Sequence, residues 1–325
     1  EWVGLDPDRL YPSVFAGNET TPADDEAAAI WRDVVGIPED CAHLLEFNGG
    51  INYMKGGIEC CNMFSTVSPS YAEELKDPMN AFGMDRIVFR NSFKLRGILN
   101  GINTTDYNPE KDSFIAANYS AKDMSGKALC KAALQKELAL PERDVPLITM
   151  ISRLVPAKGI DILCNVMDAV VGDNDVQFIL LGTGNYEYEE WFHEFERRHP
   201  DKARSMIMFD NALSHRMYAG GDILLVPSRS EPCGLTQMIG CRYADIPVVR
   251  ACGGLKDSIK DCTLGEGNGF VFENYDADSL YHAIMNAVSR YSDRENWQKL
   301  MKYDLSLDFG WSASAKVYRE MYQNL

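Results

Sequence analysis

A doubly wound α/β fold with a parallel sheet is predicted by two observations. From Pro146 onward short apolar runs alternate with helical patterns, and the helical stretches are long enough to cross back over a sheet. The strand candidates are Leu147–Ile151, Val176–Gly182, Met206–Phe209, Ile223–Pro227, Pro247–Arg250 and Phe270–Phe272. Between and after them lie helical stretches at Gly159–Val171, Tyr186–His199, Ser214–Gly220, Gly234–Tyr243 and Asp276–Tyr291. In the last, Leu280, Ile284 and Val288 recur every four residues, one face of a helix.

The flanking segments are less regular. Residues 1–45 are rich in Asp, Glu, Pro and Thr and read as loop plus one helix, Asp24–Val34. Asn52–Cys60 reads as a helix and Phe64–Val67 as a short strand. Ser68-Pro69-Ser70 opens another helix, with Glu73 and Glu74 expected in its first turn, where they suit the dipole. This is too little for an independent parallel-sheet domain and reads as the tail of one. Arg294–Leu307 is a further helix, and Trp311–Leu325 places Trp311, Tyr318, Tyr322 and Leu325 on one apolar seam that has to pack on something.

The chain has 325 residues, more than one hydrophobic core usually serves, so two domains are expected. Apolar residues make up 46% and charged residues 25%, ordinary for a soluble globular protein. No apolar run reaches the length of a membrane helix, and the first residues show neither a basic stretch nor an apolar core. Nine cysteines, an odd number without metal-type spacing, fit reduced thiols in a cytoplasm. The net charge of −16 argues against nucleic-acid binding and opposes any anionic ligand at long range. A phosphate site here has to be made locally, by a few arginines, lysines and backbone amides.

Three clusters meet that requirement. Ile151-Ser152-Arg153-Leu154-Val155-Pro156-Ala157-Lys158-Gly159 follows a strand and precedes a helix, so Arg153 and Lys158 stand where amides and the dipole favour an anion. Taken alone, the pair reads equally as two surface cations beside a turn. Gly182-Thr183-Gly184 ends the next strand; such turns often only reverse a chain, but its position is the edge where ligands of these sheets bind. Val226-Pro227-Ser228-Arg229-Ser230-Glu231-Pro232-Cys233-Gly234-Leu235-Thr236-Gln237 is the strongest. Its helix start offers amides to a phosphate, and Glu231 beside them suits a neutral, hydroxyl-rich group such as a sugar, or else serves as a helix cap. Cys233 at a helix start raises the thought of a nucleophile, but without a Cys–His pattern a packing thiol is the better reading. The histidines lack metal-ligand spacing, so no metal is expected.

Read together, these segments resemble the glycogen and starch synthases that use ADP-glucose, retaining glycosyltransferases of the two-domain GT-B fold. The resemblance runs from about Leu45 to the end. It includes Asn52–Glu59, Thr66–Ala72, Gly97–Asn103, Ser152-Arg153-Leu154 with Lys158-Gly159, Ser214-His215-Arg216, Glu231–Gln237, and Gly253-Gly254-Leu255 with Asp257. It implies three domain segments: a partial Rossmann-like N-terminal domain over 1–96, a complete donor-binding domain over 97–305, and a terminal helix over 306–325 that crosses back to the first.

The resemblance also implies roles. Arg153 and Lys158 match the pair that binds the donor diphosphate, and Glu231 matches the glutamate that holds the glucose hydroxyls near the reacting carbon; these three are the candidate catalytic residues. Cys233, Gly234, Leu235 and Thr236 match the loop whose amides reach sugar and phosphate, with Gly182 and Gly184 as further candidate substrate-binding positions. Phe209 stands where many members stack a tyrosine on adenine, and Asn100 matches a residue facing the cleft. Ile239, eight residues after Glu231, stands where relatives outside this family carry a second glutamate.

The departure is an absence: the family's lysine-threonine-glycine-glycine loop and its later histidine loop do not occur, and residues 1–40 match poorly. The expectation is a chain corresponding to the last two-thirds of a synthase. The expected activity is metal-free transfer of glucose from ADP-glucose to the non-reducing end of an α-1,4-glucan with retention. The alternatives are a non-catalytic nucleotide-sugar or glucan-binding fragment, or a related transferase using another sugar nucleotide. The expected partners are a sugar nucleotide and an α-glucan, without nucleic acid, membrane or cofactor. Location is expected in the cytoplasm or a plastid, and aggregation, self-association or poor order through apolar surface of residues 45–95 and the Trp311–Leu325 helix.

Overall fold

The structure, a computed structural model, describes residues 36–48 and 50–324. The expected helix Asp24–Val34 lies outside the described residues. The chain divides into two compact units, one of residues up to Thr66 with Ala72–Arg96, the other of Val67–Tyr71 with Gly97–Asn324.

The first unit is small. Its helix Tyr53–Cys60 is capped by Asn52, whose side chain accepts the Lys55 amide at 2.9 Å. Ile58, Ala72, Met84, Ile87, Val88 and Leu95 form its buried cluster, with Phe47, Phe64 and Leu75 packed against it. The helix that Ser68-Pro69-Ser70 opens is only Pro69–Glu74. Glu73 and Glu74 therefore end it rather than start it, against the expectation, and Glu73 pairs with Lys76 at 2.7 Å instead of with the dipole.

The second unit is built on six strands: β1 (Leu147–Ile151), β2 (Gln177–Leu181), β3 (Ala203–Met206), β4 (Ile223–Val226), β5 (Ile246–Arg250) and β6 (Phe270–Phe272). They lie side by side as β6-β5-β4-β1-β2-β3, and the pairings read out residue by residue are parallel. The chain steps outward from β1 to β3, returns to the other side of β1, and steps outward again. The direction of winding thus reverses between β1 and β4, the topological switch point where sheets of this kind bind ligands.

The central strands read as continuous apolar runs because helices cover both faces: all four residues of β4 and all five of β2 are buried. Phe178, Phe192, Phe195 and Tyr243 are among the largest side chains withdrawn from solvent. Near the strand starts, Lys131 donates to Asp222 at 2.6 Å and to Tyr291, and Asp222 also accepts the Leu147 amide, so a buried charge pair pins the amino-terminal ends of β1 and β4.

Two sequence-derived elements change most. The strand expected at Met206–Phe209 is Ala203–Met206. β3 is an edge strand whose burial alternates, so it tolerates Arg204 and Ser205, while Phe209 stands in the loop beyond it. The helix expected over Gly159–Val171 is two helices, Ile160–Cys164 and Met167–Asp173, broken at Asn165 and Val166.

Candidate functional site

The loops after β1 and β4 flank the switch point and meet there. After β1 the chain runs through Ser152–Val155 into a short 3-10 turn, Pro156–Lys158. After β4 it runs through Pro227–Leu235 to the helix Thr236–Arg242. The Ala157 carbonyl accepts the amides of both Arg229 and Ser230, at 2.9 and 3.3 Å. Above this backbone seam Lys158 Nζ lies 2.6 Å from Glu231 Oε2. The Ser228 hydroxyl donates to that same oxygen at 2.9 Å. Glu231 is buried, with its carbonyl accepting the Gly254 amide, so the carboxylate is held from several directions.

Arg153 is exposed on the same rim and makes no ion pair among the described residues. Lys158 has three donor hydrogens and spends one on Glu231. Arg229 and Arg250 add two more cations beside the β4 loop. A local positive rim thus exists on a chain whose net charge is −16.

The glycine turn after β2 is zipped to the β1 loop. The Leu154 amide donates to the Thr183 carbonyl at 2.8 Å, and the Asn185 amide to the Leu154 carbonyl at 2.8 Å. A Cβ on Gly182 would stand 1.8 Å from the Ser152 carbonyl oxygen, and one on Gly184 2.1 Å from that of Leu154. Only glycine lets these two backbones approach so closely. Phe209, in the loop after β3, is 92% exposed, an open ring face at the same edge.

Cys233–Thr236 turn the β4 loop into its helix. Gln237 fastens this turn, donating from its amide to the carbonyls of Cys233 and Gly234 and to the Ser258 hydroxyl. The Asn100 backbone faces the Cys233 thiol, which brings those two candidates together. Burial pushes the Cys233 thiol up, opposite to what a nucleophile needs, and the packing reading of this thiol fits. Thr236 is half-buried at the start of that helix, while Leu235 is exposed.

Of the other blocks, Gly253-Gly254 backs directly onto the Glu231–Cys233 loop, with the Gly254 amide on the Glu231 carbonyl. His215 is buried and bonds Asp112 at 2.6 Å, and the neighbouring Arg216 pairs with Glu137. Asp257 accepts the amide and hydroxyl of Ser70, so the Ser68–Tyr71 segment and the Gly253–Asp257 segment are joined. Sequence reading passed over Arg250, although its place at the carboxyl end of β5 marked it. No group of three or more metal-ligating side chains occurs among the described residues.

The family described as glycosyl transferases group 1 matches residues 132–302, and the starch synthase catalytic domain family matches residues 24–89. A glycogen synthase of Anaeromyxobacter sp. (strain Fw109-5) is 43% identical over 295 residues, 90% of this chain and 62% of that protein. One of Clostridium perfringens (strain 13 / Type A) is 44% identical over 86% of this chain and 59% of that protein. The chain thus spans less than two thirds of the length of these curated relatives. The catalytic domain of starch synthase IV from Arabidopsis thaliana, solved with ADP and acarbose, superposes with a TM-score of 0.82 at 33% identity, over 97% of this chain and 70% of that one. The second unit is therefore the parallel-sheet domain of a GT-B transferase, and the chain belongs to the glycosyl transferases of group 1 and, among them, to the glycogen and starch synthases.

Proposed function

We propose that this chain binds ADP-glucose at the switch point between β1 and β4 and takes part in transferring its glucose, with retention, to the non-reducing end of an α-1,4-glucan. The observation that carries the reading is the Lys158–Glu231 pair across the switch point, with the unpaired Arg153 beside it. A leaving diphosphate gains charge as the glycosidic bond breaks. Lys158, held by Glu231, is in place before that charge develops, and its two spare donors and the exposed Arg153 can turn to it. Glu231 spends Oε2 on Lys158 and Ser228, and Oε1 has no bond among the described residues, which leaves an acceptor for sugar hydroxyls. Phe209 offers its face to the base.

The likeness to a starch synthase solved with ADP and acarbose supports adenine as the base and a glucan as acceptor. The reading assigns no cofactor or metal. Nine cysteines with no disulfide among the described residues suit a reducing compartment, the cytoplasm or a plastid. No helix among the described residues is long and apolar enough to cross a membrane.

Incubating the chain with ADP-glucose and a maltooligosaccharide primer tests the reading. Chain elongation is the expected result. Binding of ADP without elongation would replace it by a donor-binding polypeptide that does not turn over, and preference for another sugar nucleotide in competition would replace the donor.

A further inference from the structure

Lys158 and Glu231 come from loops 73 positions apart in the chain, and what holds those loops together lies behind them. Arg250, the last residue of β5, donates from Nε to the Ser228 carbonyl at 2.9 Å and from a terminal nitrogen to the Arg229 carbonyl. The Tyr275 ring, in the loop after β6, receives two guanidinium groups, those of Arg229 and Arg250, each 5.6 Å from its centroid. The Tyr275 hydroxyl donates to the Asp161 carboxylate. Asp161 stands in the first turn of the helix Ile160–Cys164, three residues after Lys158. Burial and this neighbouring carboxylate push the Tyr275 phenol up, so it remains a donor. A closed circuit results: Lys158, Glu231, Ser228, Arg250, Tyr275, Asp161 and back to Lys158.

We propose that Tyr275, acting with Asp161 and Arg250, is a positioning residue: it fixes the separation of the β1 and β4 loops and so aims Lys158 and Glu231 at the donor. The ligand it serves, the diphosphate and sugar of a nucleotide sugar, rests on the function proposed above. Tyr275 reaches the site only through other side chains. Its ring binds the cations that grip the Glu231 loop, while its hydroxyl binds the helix that follows Lys158. A support of this kind decides how well preorganised the two charged groups are before ligand arrives.

The test pairs amide hydrogen exchange with calorimetric titration of ADP, on the full chain, for the wild type, Tyr275→Leu, Tyr275→Phe and Asp161→Asn. Tyr275→Leu removes both contacts and is expected to speed exchange in segments 152–161 and 228–235, and to weaken ADP, each about tenfold. Tyr275→Phe keeps the ring–guanidinium contacts and is expected to stay within about threefold of wild type at 228–235 while 152–161 exchanges faster, as in Asp161→Asn. The helix Ser125–Glu137 should exchange as in wild type throughout, which reports an intact fold. Unchanged exchange in both loops of Tyr275→Leu overturns the proposal whatever happens to ADP. So does faster exchange spread over the whole chain, or faster loop exchange with undiminished ADP affinity. Faster loop exchange in a chain whose wild type does not bind ADP leaves the coupling standing and removes the nucleotide-sugar reading instead.

Discussion

Lys158 and Glu231 were each marked by the sequence pattern, but nothing in the pattern paired them. The pairing at 2.6 Å comes from β1 and β4 lying next to each other, a fact of sheet order rather than of either loop. Arg153 makes no ion pair among the described residues, which in the proposed reading leaves its charge for a ligand. Replacing it by Ala should weaken ADP by ~2–3 kcal/mol, roughly 30–150-fold, in calorimetric titration; a change of only a few-fold would remove it from the site. Cys233 makes the opposite point. Its helix-start position would lower a thiol pKa if solvent reached it, yet burial dominates and pushes it up. Iodoacetamide should therefore label the exposed Cys60 at least about tenfold faster than Cys233, as read by peptide mass. Equal labelling would contradict the packing role. Arg250 and Tyr275 belong to no quoted motif, and only the position of Arg250 at a strand's carboxyl end was a usable signal.

At the scale of elements, β1 and β6 match the sequence-derived bounds and β2, β4 and β5 fall within a residue of them, because buried parallel strands are plain apolar runs. The helix Ser125–Glu137 shows where such reading fails. It turns Lys127, Lys131 and Gln135, four residues apart, into the interior, so its buried stripe looks like a solvated face. Those groups are satisfied there: Lys127 by the Tyr218 and Tyr243 carbonyls, Lys131 by Asp222, Gln135 by Gln177. The helix Arg294–Ser306 carries a similar surprise. Asp304 is fully buried, and the Cys241 thiol beside it offsets little of the burial that pushes its carboxyl well above the usual range. Asp245 is likewise pushed up, to about 8, mainly by burial and against the pull of Lys127. Unfolded, such carboxyls lose their proton near pH ~4, whereas folded they keep it, so stability falls as pH rises above ~4 until the folded value is passed. Asp304→Asn should flatten this slope, gaining on the wild type by up to about 1.4 kcal/mol per pH unit in urea unfolding as the pH rises above about 5. Parallel stability curves would contradict a protonated Asp304.

Across the whole molecule, charge and site oppose each other. A chain of net charge −16 repels an anionic nucleotide at a distance, so in the proposed reading affinity has to come from the short-range rim of Arg153, Lys158, Arg229 and Arg250. The first unit leaves Met79, Phe82, Phe89 and Phe93 at least two-thirds exposed, with Phe82 at 88%. Surface of that kind supports self-association, and light scattering on the eluting chain should report species larger than a monomer. A monodisperse monomer would count against it. The central claim concerns the switch point itself, and calorimetric titration of ADP into the wild type and the Arg153→Ala/Lys158→Ala double variant tests it most directly. The account predicts saturable binding by the wild type and a loss of at least about 100-fold in the double variant. Equal affinity in the two proteins, or no binding by the wild type, would contradict it.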